Sequence, residues 1–533
     1  MALRLREISL ALDDAEECLA GRVAQELGIP VAQVSHLRIV RMGIDARRKG
    51  RILRVYNVEF EVPDEARVLQ RLAHLARLEA ATPVALPEIR TLPIRQKVLV
   101  VGMGPAGLFC ALHLARCGQE VTLVDRGQPL ERRVADVNRF WQAGQLDEES
   151  NVQFGEGGAG TFSDGKLTTR VNHPWTRFVL QTLVDFGAPA EILYQAKPHV
   201  GTDRLRLVLI NFRRELKRLG VAIRFASRLD GLSTSAGRIH GAVLTSASGS
   251  DELAVSHVVL APGHSARDTY AMLHESGVRL EAKPFAVGVR IEHPAALINA
   301  IQYGINGHPR LPTADYALTW NDRQSGRGVY SFCMCPGGEV VNSASEEGGV
   351  VVNGMSRLGR SGELSNSALV VSVRPQDCGS PDDPLACIAF QRKWERLAFA
   401  AGGRDYRVPA QNVISFLQRG QGPLRSSCRP GITAVELDQV LPAFVCSELR
   451  QALPHFDRRM RGFVTAEATL TGVETRTSAP LRIVRGEDGQ SVSLRGLYPA
   501  GEGAGYAGGI MSAALDGLKV AQHIAENLSV KES

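Results

Sequence analysis

Apolar residues alternate with polar ones from Leu3 to Leu12, and again over His36–Arg41 and Ile52–Val62, which predicts strands. Between them, Ala15–Leu27 has helical spacing. Ala66–Glu79 extends that spacing through Val68, Leu69, Leu72, Leu75 and Leu78, predicting a second helix. Strands and helices in this order suggest a small α+β module over residues 1–85, of ferredoxin-like type. Three prolines in 81–93 mark a linker.

After it the pattern changes. Val98–Ala115 carries no charged residue over 18 positions, long enough on length alone for a membrane span. Gly102, Gly104, Pro105 and Gly107 interrupt it, and β-branched residues give way to helix formers midway. It therefore reads as a buried strand, a tight turn and a packed helix. Leu205–Gly220 reads as a helix. Val221–Arg228, Arg238–Thr245 and Leu253–Ala261 read as a β-meander with Gly- and Ser-rich turns. Residues 275–475 hold several β-rich runs and a helix near Leu385–Ala401, and Gly496–Ala525 returns to strand, glycine loop and helix.

A chain of 533 residues exceeds one hydrophobic core, so two to four domains are expected. A net charge of +6 does not argue for nucleic acid or membrane as partner. Nine cysteines without a regular framework suit a reducing compartment, and the charged N-terminal residues do not form a secretory leader, so a soluble cytoplasmic protein is expected.

The sharpest motif is Gly102-x-Gly104-x-x-Gly107 between the strand from Lys97 and the helix Leu108–Arg116. The first glycine makes the turn, the second admits a pyrophosphate, and the third lets helix and strand pack closely. Pro105 and Ala106 complete the loop, and the helix N-terminus offers amides and positive dipole to phosphates. A second strand, Glu120–Val124, ends at Asp125, eighteen residues past Gly107, where an acid can accept from ribose hydroxyls. Arg126 follows it.

NAD and FAD share that fingerprint. The C-terminal run from Gly496 to Ile510 separates them, with Gly501-Glu502 at a strand end and Gly508-Gly509 opening a helix at Ile510. It resembles the second flavin-contact motif of glutathione-reductase-type flavoproteins. The resemblance implies that Glu502 holds the ribityl chain and that the helix start faces the flavin; a helix dipole there stabilises charge on reduced flavin. Val258–Gly263 resembles the intermediate motif of the same superfamily. The loop Asn151–Leu167, with Gly157, Gly158 and Gly160, exposes many backbone amides suited to a dinucleotide. That loop, with Asp125-Arg126-Gly127, Ser331–Gly338 and Val473–Arg482, resembles a bacterial family of FAD-dependent, NAD/FAD-utilising dehydrogenases over nearly the whole chain. FAD is the cofactor this implies. No second strand–GxGxxG–helix unit occurs in 280–475, so NAD(P)H would act only as a transient donor.

Cys333 and Cys335 form a C-x-C that would point to one face of a strand, as a redox or nucleophilic pair or as plain core. A zinc reading with Cys378 and Cys387 lacks paired close spacings. Arg476 is either a clamp for an acidic substrate or a salt-bridged structural arginine, with Glu474 and Arg482 beside it. His264 is a proton shuttle or a helix-start residue.

The expected architecture is α/β: a Rossmann-like FAD-binding domain with β-meander (94–280 and 476–533), an inserted α+β substrate or cap domain (281–475), and the N-terminal α+β module. The expected function is an FAD-dependent oxidoreductase, dehydrogenase or reductase, passing a hydride or electron pair between a small-molecule substrate and flavin. A flavin monooxygenase is equally compatible. Two rivals differ in class: a flavin-containing RNA-binding or RNA-modifying protein using Arg47, Arg48 and Lys49, and a non-catalytic dinucleotide-binding regulator.

Overall fold

The computed structural model describes residues 2–82, 85–169, 171 and 173–529. At the N-terminus lie β1 (Leu3–Ala11), α1 (Cys18–Leu27), β2 (Ser35–Asp45), β3 (Leu53–Glu61), α2 (Glu65–Arg71) and β4 (Leu78–Ala80). The strands form one antiparallel sheet in the order β2-β3-β1-β4, the ferredoxin-like arrangement. Leu3, Leu5, Ile8 and Leu10 all face the core although their spacing breaks after Leu5. A bulge between Leu5 and Ile8, with Glu7 at φ 61°, restores the inward register.

The helix expected over Ala66–Glu79 stops at Arg71. Leu78–Ala80 instead pairs with β1, because the outer edge of that strand needs hydrogen-bond partners and Leu78 fills the core from there. The basic turn 45–49 is a hairpin tip, where Arg47 pairs with its neighbour Asp45.

The second unit centres on β5 (Lys97–Val101), α3 (Pro105–Arg116), β6 (Glu120–Val124) and β7 (Ala222–Arg224). The meander follows as β8 (Arg228–Ser235), β9 (Arg238–Ser246) and β10 (Gly249–Ala254), and β11 (His257–Leu260) returns to the main sheet. The expected meander is present, but its strands are redistributed. The 221–228 run gives its strand to the parallel sheet as β7, and the 253–261 run divides between β10 and β11. Val255 and Ser256 lie outside both strands and separate them. The parallel sheet runs Leu497–Pro499, β11, β5, β6, β7. Among the described residues no helix is long and apolar enough to cross a membrane.

The third unit is a seven-stranded sheet whose central strands, Phe285–Pro294 and Leu364–Val373, pair antiparallel along their whole length. Helix Ala443–Arg459 covers it through Val445, Leu449 and Phe456, and helix Ala386–Gly402 packs nearby. The chain enters this unit after Leu280–Ala282 and leaves into Leu481–Ile483, and these two short strands pair with each other. That pairing brings Glu474–Thr477 back beside the parallel sheet.

Candidate functional site

The carboxyl ends of β5, β11 and strand Leu497–Pro499 open into one cleft of about 600 Å³, within the size range of small-molecule and cofactor sites. Four glycine segments build its wall, around Gly102–Gly104, Gly158–Gly160, Gly263 and Gly501–Gly509. At Gly102, φ is 100° and a Cβ would lie 2.1 Å from the Ala261 carbonyl oxygen, so only glycine fits the turn. At Gly104 a Cβ would meet nothing within 4 Å and would project into open space. Pro105 occupies the first turn of α3, whose leading amides have no partner within the helix.

Of the proposed cofactor-binding positions, Gly102, Gly104, Pro105, Ala106, Asp125, Arg126, Gly158, Gly160, Gly263, Gly501, Glu502, Gly508, Gly509 and Ile510 all line this cleft. Gly107 and Gly157 do not line it. A Cβ at Gly107 would strike the Gly102 carbonyl oxygen at 1.9 Å, so its role is to seat α3 against the loop. Gly157 faces Leu209 and Thr161 and donates to the Met103 carbonyl at 2.9 Å, tying the two glycine loops together.

Asp125 reaches the cleft, but its carboxylate also accepts from the amides of Met103 (2.8 Å) and Gly127 (2.9 Å). It thus shapes the phosphate loop as well as facing the space. Arg126 is bound to Glu149 and Asp268 and stacks over Phe154.

A buried arginine that the sequence pattern does not reveal organises the glycine-rich loop. Arg133, on helix Leu130–Ala143, donates to the carbonyls of Asn151 (2.9 Å), Val152 (2.9 Å), Gly155 (3.3 Å) and Glu156 (2.6 Å) and to Thr161 Oγ1. At the opposite wall, Gly501 donates to Asp516, which Arg485 holds. The Tyr270 hydroxyl donates to the Gly503 carbonyl at 2.7 Å and to that of Gly263, joining the segment at Gly263 to the one at Gly501–Gly509.

The inserted unit supplies the charged end of the cleft. Arg476 lines it, but its guanidinium is forked onto Glu395 and bonded to Ser265 and Ser345. Arg267 forks onto the same Glu395 carboxylate from the other side. Burial opposes ionisation of Glu395, yet the two arginines outweigh it and hold its acidity strengthened. Arg476 is therefore committed to the seam between the units, and the substrate-clamp alternative loses its free fork. His264 lines the cleft beside these arginines. Burial first, then Arg476 and Arg267, press its imidazole down to about 4, so it is neutral at pH 7. Arg482 points its guanidinium over the Tyr506 ring and does not line the cleft.

Arg290, fully buried, pairs with Glu474 at 2.7 Å and bonds the Asn353 and Asn366 side chains and the Cys333 carbonyl. Burial pushes the Glu474 carboxyl up to about 7 against the pull of Arg290. Burial likewise raises Glu502 to about 7, with Lys283 opposing.

The expected strand geometry at Cys333 and Cys335 is corrected by a bulge between Phe332 and Cys335, with Cys333 at φ 43°. Cys333 lines the cleft and Cys335 is buried behind it. The Cys335 thiol bonding to Cys333 lowers the Cys333 thiol below its ordinary value. Burial opposes this, and Arg290 and Lys166 add to it. Lys166 lines the cleft and donates to the Met334 carbonyl. Cys378 and Cys387 form a separate neighbouring pair. Among the described residues, no group of three or more His, Cys, Asp or Glu side chains could hold a metal, which leaves the zinc reading without a ligand set there.

The glycine cradle, the two helix starts and the opening over Gly104 fit FAD. Three family descriptions tile most of the chain. Residues 96–283 match the pyridine nucleotide-disulphide oxidoreductase family, 284–477 match "FAD-dependent protein, C-terminal domain-like", and 2–61 match a domain of unknown function. An uncharacterized protein of Clostridium beijerinckii is 45% identical over 99% of this chain and 100% of its own. Among solved structures, the flavin-dependent halogenase CmlS is 14% identical over 83% of this chain and 60% of its own, with a TM-score of 0.39. A 3-ketosteroid-delta4-(5alpha)-dehydrogenase of Rhodococcus jostii is 12% identical over 83% of this chain and 99% of its own, with a TM-score of 0.34.

Proposed function

From the premise that this chain belongs to an FAD-dependent oxidoreductase family, we propose how its residues hold the cofactor and where the substrate meets it. FAD is the cofactor, and when bound it supplies two-electron redox chemistry. In this reading Gly102, Gly104, Pro105 and Ala106 receive the pyrophosphate at the start of α3. Asp125 and Arg126 sit at the adenosine end. Glu502 and the helix start at Gly508–Ile510 sit at the flavin end, in the manner of glutathione-reductase-type proteins.

The single observation that carries this is the continuity of the cleft. One space is lined both by Asp125 and Gly104 and by Phe332, Cys333, Asn353 and Glu474 of the inserted unit, and we take that second end as its mouth. The unassigned substrate is a small molecule entering at that mouth. There Glu474, whose two carboxylate oxygens both accept from Arg290, has its carboxyl raised to about 7 and can hold or release a proton near neutrality. Arg290 orients that carboxyl, and Arg476 with Glu395 holds the seam that closes the cleft from water. NAD(P)H fits as a transient donor at the same mouth, since the inserted unit is a largely antiparallel sheet rather than a second nucleotide fold. Nine free thiols favour a reducing compartment, and we place the protein in the cytoplasm.

The test is anaerobic titration of the FAD-loaded protein with NADH, NADPH and a panel of small reduced compounds, following the visible flavin band. Phe332→Trp narrows the mouth and is expected to slow bleaching while FAD content stays whole. Bleaching as fast in the variant as in the parent, for every compound that bleaches at all, removes the proposed mouth.

A further inference from the structure

The C-x-C bulge combines three features that flavin binding does not require. Cys333 is half-buried at the cleft surface, while Cys335 is 0% exposed directly behind it. A reagent in the cleft therefore meets the residue Cys333, while Cys335 is closed to solvent. Two cations bracket the bulge. Lys166, from the glycine-rich loop, holds the Met334 carbonyl from the cleft side. Arg290, from the sheet, donates to the Cys333 carbonyl at 3.1 Å and has Nη1 3.9 Å from the Cys335 sulfur. Of the nearby carboxylates, Asp164 is committed to Arg360 and Ser356 and Glu474 to Arg290, while Glu502 shares the cleft with Cys333.

The pair can also close into a disulfide. On a fully extended strand, two residues span about 6.4–6.8 Å, the upper end of the Cα separation that a disulfide accepts. Here three steps, from Phe332 to Cys335, lie against only two steps of the partner strand, from Ala368 to Asn366. The chain is thus compressed there, and the Cys335 sulfur already lies 3.5 Å from the Cys333 carbonyl oxygen.

We propose that Cys333 and Cys335 form a hydroperoxide-reducing dithiol, with Cys333 the attacking thiol and Cys335 the resolving one. This goes beyond the flavin reading and does not depend on flavin turnover. The Cys333 thiolate attacks the distal oxygen of the peroxide and the O–O bond breaks. Sulfur becomes a sulfenic acid, two electrons pass to the peroxide, and hydroxide or alkoxide leaves beside Lys166. The Cys335 sulfur then displaces the sulfenic oxygen, which departs with the Cys335 proton as water, and the S–S bond forms. Two molecules of a low-molecular-weight thiol reopen it by exchange, leaving as their own disulfide. The thiolate character of Cys333, favoured by the Cys335 thiol and by both cations, suits it to the first step.

The experiment treats FAD-loaded protein with equimolar hydrogen peroxide, blocks remaining thiols with an alkylating reagent, and maps the peptide carrying both cysteines. In the parent protein that peptide should lose two hydrogens and take up no alkyl group. In Cys335→Ser a sulfenic acid should accumulate on Cys333 and be trapped by a 1,3-dione, whereas in Cys333→Ser Cys335 should stay reduced. Lys166→Met should slow Cys333 oxidation roughly tenfold, equivalent to about one pKa unit of thiolate stabilisation. Full alkylation of both thiols while the exposed Cys18 oxidises would overturn the proposal, as would oxidation of Cys335 in Cys333→Ser. Loss of FAD binding with the thiol pattern intact would instead strike the cofactor reading alone.

Discussion

Two glycines of one motif should fail in opposite ways when given a side chain. At Gly104 the backbone is at φ −72°, ψ 179°, a conformation open to any residue, and a Cβ would touch nothing within 4 Å. Gly104→Val therefore leaves the fold intact, and the lost chain entropy of glycine even favours it by about 0.4–1 kcal/mol. The isopropyl group instead occupies the space assigned to the pyrophosphate. Overpacking of that kind costs about 1–3 kcal/mol, which weakens FAD binding roughly 5- to 150-fold. At Gly107 the same logic reverses. A methyl group 1.9 Å from the Gly102 carbonyl forces α3 off the sheet. The same order of cost, about 1–3 kcal/mol, now falls on stability and lowers the melting midpoint by roughly 2–12 °C. The assay pairs flavin absorbance per polypeptide with thermal unfolding of each variant after cofactor release. A Gly104→Val protein that keeps full FAD affinity would refute the assignment of this loop. A Gly104→Val protein whose stripped form melts as early as Gly107→Ala would refute the geometry behind it.

Two further outcomes follow from the buried charges. Arg133→Met removes the guanidinium from the glycine-rich loop. At about 1.5 kcal/mol for each charge-assisted bond left unreplaced, the contacts to Asn151 and Val152 alone come to about 3 kcal/mol. Hydrogen exchange should rise across 151–161 ahead of the parallel sheet, and equal protection in parent and variant would show that the arginine does not hold the loop. Glu474 gives a pH signature. Its folded carboxyl is raised to about 7, so its contribution is present below the ordinary value of 4.5 and is lost as pH rises through 7. Relative to Glu474→Gln, the parent should lose about 3 kcal/mol between pH 4.5 and 8. Parallel stability curves for the two proteins across that range would mean that the carboxyl is ionised throughout.

The parts of this molecule that could be read from the chain are those whose physics is local. Gly102-x-Gly104-x-x-Gly107 lies within six residues, and each glycine answers to a turn, a ligand or a packing contact next door. Even there, sequence spacing alone cannot separate Gly104, which faces the cleft, from Gly107, which faces a carbonyl. The ferredoxin-like module was legible for the same reason, except where Leu78–Ala80 left a helical pattern to pair with β1, a choice made by the sheet edge. The charged end of the cleft was not legible. Arg290 meets Glu474 across 184 residues, and Arg267 meets Glu395 across 128. No periodicity links such partners, and arginine in a strand or helix pattern reads as a solvated face.

The fate of Arg476 follows from this. Its position just before the flavin motif left a substrate clamp and a salt-bridged structural arginine equally open, and which of them holds depends on Glu395, which helix Ala386–Gly402 delivers from a different part of the fold. Once Glu395 takes both Arg267 and Arg476, the pair of arginines becomes a hinge pin between the parallel sheet and the inserted unit. In the proposed reading, selection of the substrate then falls to other residues that line the cleft: Phe332, Cys333 and Lys166. Two of these lie on one strand of the inserted unit and the third on the glycine-rich loop that Arg133 secures. The mouth is thus completed only when the two units are packed together. Substitutions at the seam should therefore change which substrates enter before they change whether FAD is held, because the glycine cradle belongs entirely to the parallel-sheet side.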